Sequence, residues 1–338
     1  MHSLDPEALD DLDRRILHAL QIEPRVSWSR LATVLGSDSG TLARRWARLS
    51  EEGLAWITGY AADRLLALIE IQCEPVHRPA IAEQLSLDPS VMVLDHASGG
   101  RDLLALVLPR SFDELSSLVL NDLASVVGVR TMQTHPAGET LIEGGSWRLR
   151  SLLPEEVARI PEPRPPRQRA ARHVSDDVRR AILDAVWEDG RIPVSVMAER
   201  SGISPQRISD GLATMRHDDV LRFRTDIARR ATDWPVYAWY FIEAPSTVIE
   251  AARSTITSVP EVRLAFTSAS RYNLVLAVWL RRLSDVNRFE LALERALAGV
   301  RIADRAVVLR TTRHMNRLLG PDTRATGPAP GDRLRAAA

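Results

Sequence analysis

The chain states its architecture twice. Leu12–Leu54 lies over Val178–Val220 at a shift of 166 residues, so that Asp13-Arg14-Arg15-Ile16-Leu17 meets Arg179-Arg180-Ala181-Ile182-Leu183. Arg25, Ala32 and Gly36 fall on Arg191, Ala198 and Gly202, and the apolar pairs Leu31/Met197, Leu42/Ile208, Leu49/Met215 and Leu54/Val220 keep register. A second block recurs at a shift of 171: Pro89-Ser90-Val91 meets Pro260-Glu261-Val262, and Gly128-Val129-Arg130 meets Gly299-Val300-Arg301. Such a period is far too long for a solenoid and implies a duplicated unit made of two parts.

With 338 residues, 45% of them apolar, the chain has material for two or more domains. It carries no apolar run of membrane-spanning length, and Met1–Asp10 is polar and acidic rather than a secretory leader, so a cytoplasmic location is expected. One cysteine, Cys73, excludes a disulfide framework and a zinc ribbon. The net charge is zero, so contact with nucleic acid would need a local basic face. All 44 basic residues are arginine, which excludes lysine Schiff-base chemistry and the phosphate-loop lysine. Neither a metal nor a cofactor is expected.

Residues 10–53 read as three short helices. Asp10 or Asp11 caps the first, whose apolar positions are Leu12, Ile16, Leu17 and Leu20, and Pro24 interrupts it. Ser27 caps a second helix, Gly36–Gly40 forms a tight turn, and Thr41–Glu52 is a third helix ended by Gly53. Two short helices around a glycine-containing turn make a helix-turn-helix, and a strand leaves it at 54–61. Residues 65–136 then change period and read βαββαβ, an order repeated between 237 and 311. The expected fold is therefore α+β: two tandem units, each a winged-type helix-turn-helix followed by a ferredoxin-like βαββαβ domain. The boundaries read 1–62 and 63–150 for the first unit, and 174–232 and 233–319 for the second. Between them, 151–173 is a Pro/Arg-rich segment expected to be extended and hydrated, and 320–338 has the composition of a disordered tail.

Helix-turn-helix, strand and βαββαβ in this order resembles the Lrp/AsnC (feast/famine) family of transcriptional regulators. Leu9-Asp10-Asp11-Leu12-Asp13-Arg14-Arg15-Ile16-Leu17 matches that family's opening, and Gly190-Arg191 and Gly202-Ile203-Ser204-Pro205 resemble two of its signatures. Arg45, Leu49 and Gly53 fit its helix ending. Single-unit members are similar to one half of this chain and pair through their α/β domains. The tandem therefore looks like such a dimer fused head to tail.

Reading DNA takes long donors near the start of a helix in the major groove. Arg44, Arg45 and Arg48 supply them on the third helix, and Ser39 and Thr41 can reach phosphate where the helix opens. The plainer alternative is a solvated face paired to Glu51 or Glu52. The second copy has Asp210-Gly211 where the first has Arg44-Arg45, leaving Gln206 and Arg207 as contacts; the halves should therefore be unequal. The arginines of the Pro/Arg-rich segment are solvation or graze phosphates beside the two domains.

Gly99-Gly100-Arg101-Asp102 resembles the family's Gly-x-Tyr-Asp loop, which borders an effector pocket between paired domains. Its glycines admit a carboxylate to the backbone, and Asp102 can receive an ammonium group. The matching Ser270-Arg271-Tyr272-Asn273 offers Arg271 and Asn273 instead; the competing reading is a turn that needs glycine. Cys73, His96 and the tryptophans Trp28, Trp46, Trp187, Trp239 and Trp279 read as packing.

The resemblance implies a DNA-binding regulator that binds double-stranded DNA and a small, amino-acid-like effector, forms a homo-oligomer and is not an enzyme. Sirohaem decarboxylases share this plan as fused pairs and are the enzymatic alternative, with His96, Arg271 and Tyr272 as the most that can be assembled. A sensor that no longer binds DNA is the third reading.

Overall fold

A computed structural model describes residues 9–167, 173–256 and 259–331. In chain order, the first copy contributes α1 (Asp11–Ile22), α2 (Trp28–Leu35), α3 (Ser39–Glu51), β1 (Ala55–Ala61), β2 (Ala67–Cys73), α4 (Arg78–Ser86), β3 (Val91–Ala97), β4 (Leu103–Val107), α5 (Phe112–Ser117) and β5 (Val129–Ile142). After α6 (Pro154–Arg159), the second contributes α7 (Asp176–Glu188), α8 (Val194–Ser201), α9 (Pro205–His217), β6 (Leu221–Ile227), β7 (Val236–Glu243), α10 (Ser246–Ile256), β8 (Val262–Ser268), β9 (Leu274–Leu280), α11 (Val286–Ala296) and β10 (Arg301–His314). Two short strands follow, β11 (Arg317–Leu319) and β12 (Ala325–Pro328). The chain sorts by kind rather than by copy. Of the described residues, one compact unit holds 64–147, 229–256 and 259–329; the other holds 9–63, 148–167, 173–228 and 330–331.

In the helical unit, α1 opens with a capping box: Asp10 accepts from the Asp13 amide and Asp13 from the Asp10 amide. The apolar stripe of each copy closes its own core, Ile16, Leu20, Leu31 and Leu42 in one, Ile182, Met197, Ile208 and Met215 in the other. Phe223 packs against both. The wings β1 and β6 pair antiparallel from Ala55 opposite Ile227 to Ala61 opposite Leu221. Two equivalent arginines then clasp the copies. Arg25 donates to the carbonyls of Gly190 (2.5 Å) and Ile192 (2.8 Å), and Arg191 donates to those of Pro24 (2.6 Å) and Val26 (2.8 Å). Arg191 also lies 4.1 Å over the Trp28 ring. Burial, with a second arginine close by, lowers both guanidinium pKa values to about 10, so each stays charged at neutral pH.

The Pro/Arg-rich segment departs from expectation at its start. Residues 154–159 form α6, and Leu152 and Ile160 are buried in the first helical core. Glu156 pairs with Arg15 at 2.5 Å, Arg159 donates to the Val34 carbonyl, and His18 Nδ1 accepts the amides of Ser151 and Leu152 at 3.0 and 2.9 Å. Leu152 and Ile160, on either side of α6, gave this stretch two apolar anchors to bury, which the proline count obscured. Residues 161–167 carry no regular structure, and 168–172, with Arg169 and Arg172, lie outside the described residues.

In the α/β unit the strand order is β10-β3-β4-β2-β5-β8-β9-β7, and β7 pairs with β10 again, so eight strands close a ring. Each half keeps its own apolar core under its two helices, around Ile69, Ile71, Leu94 and Ala105 in one and Tyr240, Ile242, Ala265 and Leu276 in the other. The expected tail is ordered to Ala329: β10, β11 and β12 run antiparallel, and Ala329 is buried. Residues 332–338 lie outside the described residues.

Two outcomes follow for the helical unit. A Cβ on Gly190 would stand 2.2 Å from Ile57 Cγ2 and 3.0 Å from the Ile57 carbonyl oxygen. Gly190→Ala should therefore lower stability by about 1–3 kcal/mol in chemical denaturation, while Gly100→Ala, with open space around it, leaves stability unchanged. Burial, together with Arg148 and Arg150, lowers the His18 pKa from 6.5 to about 4. The hold of His18 on the amides of residues 151 and 152 is thus complete above pH 6.5 and lost as pH falls through 4. Amide exchange at Ser151 and Leu152 should rise over that window and become pH-independent, after correction for intrinsic rates, in His18→Phe.

Candidate nucleic-acid interface and effector loops

The third helix begins two residues earlier than the sequence suggested. Asp38 is its N-cap and accepts the Thr41 amide at 2.9 Å. That bond, foremost, holds the Asp38 carboxyl below the usual carboxylate range. The helix start where Ser39 and Thr41 were expected to reach phosphate thus carries the Asp38 carboxylate, and the Thr41 hydroxyl accepts from Arg44 at 3.0 Å.

The three arginines do not share one free face. Arg45 bonds Asp10 (2.5 Å) and Asp13 (2.9 Å), and Arg48 bonds Asp13 (2.5 Å) and Glu52 (3.2 Å). Asp13 is buried, so its carboxylate must be paired, and these guanidiniums pair it. Arg45 and Arg48 therefore fasten α3 to the start of α1. Arg44 is exposed beside Gly40; it donates to the Thr41 hydroxyl, and its charge helps to lower the Asp38 pKa.

The second copy explains the same positions differently. Gly211, the counterpart of Arg45, is buried, and a Cβ there would stand 2.6 Å from Val178 and 3.1 Å from Ile182. It is not a weakened groove residue; it is where α9 lies closest to α7. Arg207 pairs with Asp177 (3.0 Å) and bonds Ser175. Gln206 donates to Asp210 (2.6 Å) and accepts from Arg167 (2.9 Å), whose Nε lies 3.6 Å from Asp210.

The two loops expected to border an effector are unequal, and the first is filled by its own side chains. Asp102 accepts the Cys73 amide (2.9 Å) and pairs with Arg78, so it is not the open ammonium acceptor expected from sequence. Arg101 turns inward and is buried; it bonds Glu70 (2.7 Å) and Asp304 (2.8 Å) and lies 4.1 Å over the Phe241 ring. Gly99 takes φ 85°, and the Gly100 carbonyl accepts from Gln72. In the second loop Asn273 bonds both backbone groups of Ala244, at 2.9 and 2.7 Å. Arg271 remains exposed, 3.7 Å from Glu243. It borders an open cleft of about 460 Å³ with Glu243, Ser270, Asn273 and Arg301.

Several residues central to this unit were not singled out in sequence. His135 bonds Glu70 (2.9 Å) and Ser270 (2.7 Å) and lies against Phe241 and Tyr272. Asp95 accepts from Trp239 (2.9 Å) and Thr311 (2.6 Å), and its burial raises its pKa. Arg263 sits between Trp147 and Trp279, 4.5 and 3.9 Å from their ring centres. A carboxylate inside an apolar strand, as at Glu70 and Asp95, was the available signal. Trp239 is thus a donor as well as packing. Cys73 is buried, which raises its thiol pKa. Burial and the charges of Arg310 and Arg78 lower the pKa of His96, whereas Tyr272 packs on His135; the grouping of His96 with Tyr272 does not form. Among the described residues no cluster of three or more His, Cys, Asp or Glu could hold a metal, and no helix is long and apolar enough to cross a membrane.

Residues 9–50 match the AsnC-type helix-turn-helix domain, 66–147 the Lrp/AsnC ligand binding domain, and 175–215 a winged helix-turn-helix DNA-binding domain. The chain is 32% identical over 132 residues to an HTH-type transcriptional regulator of Pyrococcus abyssi, covering 37% of this chain and 84% of that one. It is 31% identical over 137 residues to the HTH-type transcriptional regulator AldR of Mycolicibacterium smegmatis, 37% of this chain and 79% of that one. Among solved structures, the siroheme decarboxylase NirDL aligns over 94% of this chain and 95% of its own, with a TM-score of 0.59 and 15% identity; this is a likeness of fold.

The inward arginine gives the test of this geometry. Arg101→Ala leaves Glu70 buried beside His135 with one partner fewer and should lower the unfolding free energy by about 3–5 kcal/mol in denaturant titrations. Arg271→Ala, at an exposed pair, should change it by less than about 1 kcal/mol.

Proposed function

The chain belongs to the Lrp/AsnC family of transcriptional regulators, and on that premise we propose that it binds duplex DNA sequence-specifically under control of a small effector. The observation that carries this reading is Arg44. It is a long cationic donor, exposed on the outer face of α3, a helix whose other two arginines are committed to Asp10, Asp13 and Glu52. A guanidinium so placed can bind guanine or clamp phosphate. Arg45 and Arg48 hold the helix at its angle and act on recognition through that placement; Gln206 and Arg207 are the polar groups at the start of the second helix. Each α/β half is read as ferredoxin-like, and further association of whole chains as a homo-oligomer is part of the proposal.

For the effector, the open cleft beside Arg271 and Asn273 is the better candidate. It holds two exposed guanidiniums, Arg271 and Arg301, both paired with Glu243; an amino acid would exchange its carboxylate onto the guanidiniums and its ammonium group onto Glu243. The first loop has spent Arg101 and Asp102 on internal bonds, which supports one effector site per chain rather than two. A decarboxylase-like reading is favoured only by the shared fold of NirDL.

Selection of bound sequences from a random duplex pool tests the proposal. Wild type should enrich a motif and Arg44→Ala should lower affinity for it roughly tenfold or more with unchanged stability. Arg45→Ala should lose stability and affinity together. No enrichment at low salt would overturn the DNA reading and direct the next titration to sirohaem, followed by its visible absorbance.

A further inference from the structure

The two recognition helices differ in sequence where they should meet DNA, yet a guanidinium occupies the same place on both. In α3 the Arg44 guanidinium lies beside Gly40, with Nη1 3.4 Å from the position a Cβ on Gly40 would take. The counterparts of Gly40 and Arg44 in α9 are Gln206 and Asp210, one turn apart on the same exposed side. There the helix itself supplies an acid, and Arg167, from the Pro/Arg-rich segment, supplies the guanidinium. It donates from Nη1 to Gln206 (2.9 Å) and sets Nε 3.6 Å from Asp210. Gln206 in turn donates to Asp210 at 2.6 Å, so the three side chains form one network over the first turns of α9.

We propose that Arg167 is a DNA contact of the second half-site, taking the place that Arg44 holds in the first. The inference rests on the DNA-binding reading above and adds to it a residue from outside the helix. Three physical points support it. Asp210 alone would repel phosphate, and pairing with Arg167 removes that charge. A guanidinium has five N–H donors in a rigid fork, so bonding one carboxamide oxygen and facing one carboxylate leaves donors for a backbone phosphate or guanine. Arg167 is also exposed, with 57% of its side chain open to solvent, so a ligand can reach it. The segment is therefore more than a spacer: it completes a recognition surface whose helix lacks a cation at that position.

The test uses the full chain and the duplex enriched by wild type. Arg167→Ala, Arg44→Ala and Arg167→Ala/Asp210→Asn are compared by equilibrium binding across a salt series and by footprinting. The expected result is that Arg167→Ala weakens binding roughly three- to tenfold and lowers the salt slope by about 0.9, with protection thinning at one half-site. Arg44→Ala should thin the other. The double variant should bind between Arg167→Ala and wild type, because removing the acid relieves repulsion without restoring a donor. Unchanged or tighter binding by Arg167→Ala, or full recovery in the double variant, would overturn the inference while leaving DNA binding in place. A wild type that enriches no duplex overturns both.

Discussion

Everything in the α/β unit depends on where two long strands run out of partners. β5 spends Val129–Pro136 on β2 and β10 spends Arg301–Val307 on β7. Each then continues beyond its own half: Ala137–Ile142 of β5 lies on β8, and Val308–His314 of β10 lies on β3. A four-stranded half on its own would expose a row of unpaired N–H and C=O groups at each edge, which invites uncontrolled pairing. The reciprocal exchange removes these edges and closes the ring. It follows the geometry of a twofold interface, with Ala137 opposite Ser268 as Val308 is opposite Ala97, although one chain supplies both sides.

Fusion frees the two sides of that interface to differ, and they do. Across the repeat, Glu70 corresponds to Phe241, Arg101 to Tyr272, His135 to Ala306 and Asp95 to Phe266. An identical pair of subunits would have to bury two of each ionisable group facing each other, with the desolvation that entails. Here each polar group meets an apolar or neutral one: Arg101 stacks on Phe241, His135 on Tyr272, and Asp95 is bonded by Trp239. One buried network forms where symmetry would have demanded two. The same freedom explains why one effector loop is filled and the other borders an open cleft.

The duplication, the helix-turn-helix positions and the order of strands were legible because each rests on periodicity and spacing, which local sequence carries. What escaped was set by partners distant in the chain. Arg45 and Arg48 looked like readers because their ligands, Asp10 and Asp13, lie some thirty residues back. Gly211 looked like a defect in a helix, but close approach to Val178 requires it. Arg101 looked like a loop residue open to an effector; its partners Glu70 and Asp304 come from strands of opposite halves. Proline and arginine content concealed α6, which Leu152 and Ile160 on either side of it, with Glu156 on Arg15, seat on the first helical core. In each case the residue types were visible and the pairing was not.

What stayed alike between the copies is as informative as what changed. Arg25 and Arg191 occupy the same repeat position and make the same two carbonyl contacts in opposite directions. Neither can be replaced by drift on one side alone without stranding two carbonyls and loosening the wing ribbon, so the clasp resists divergence in a way that an exposed helix face does not. Joining the copies in one chain makes their pairing intramolecular and independent of concentration. The pairing surfaces then hold the pair together, and the third helix of each copy is free to diverge, as Arg44-Arg45 against Asp210-Gly211 shows.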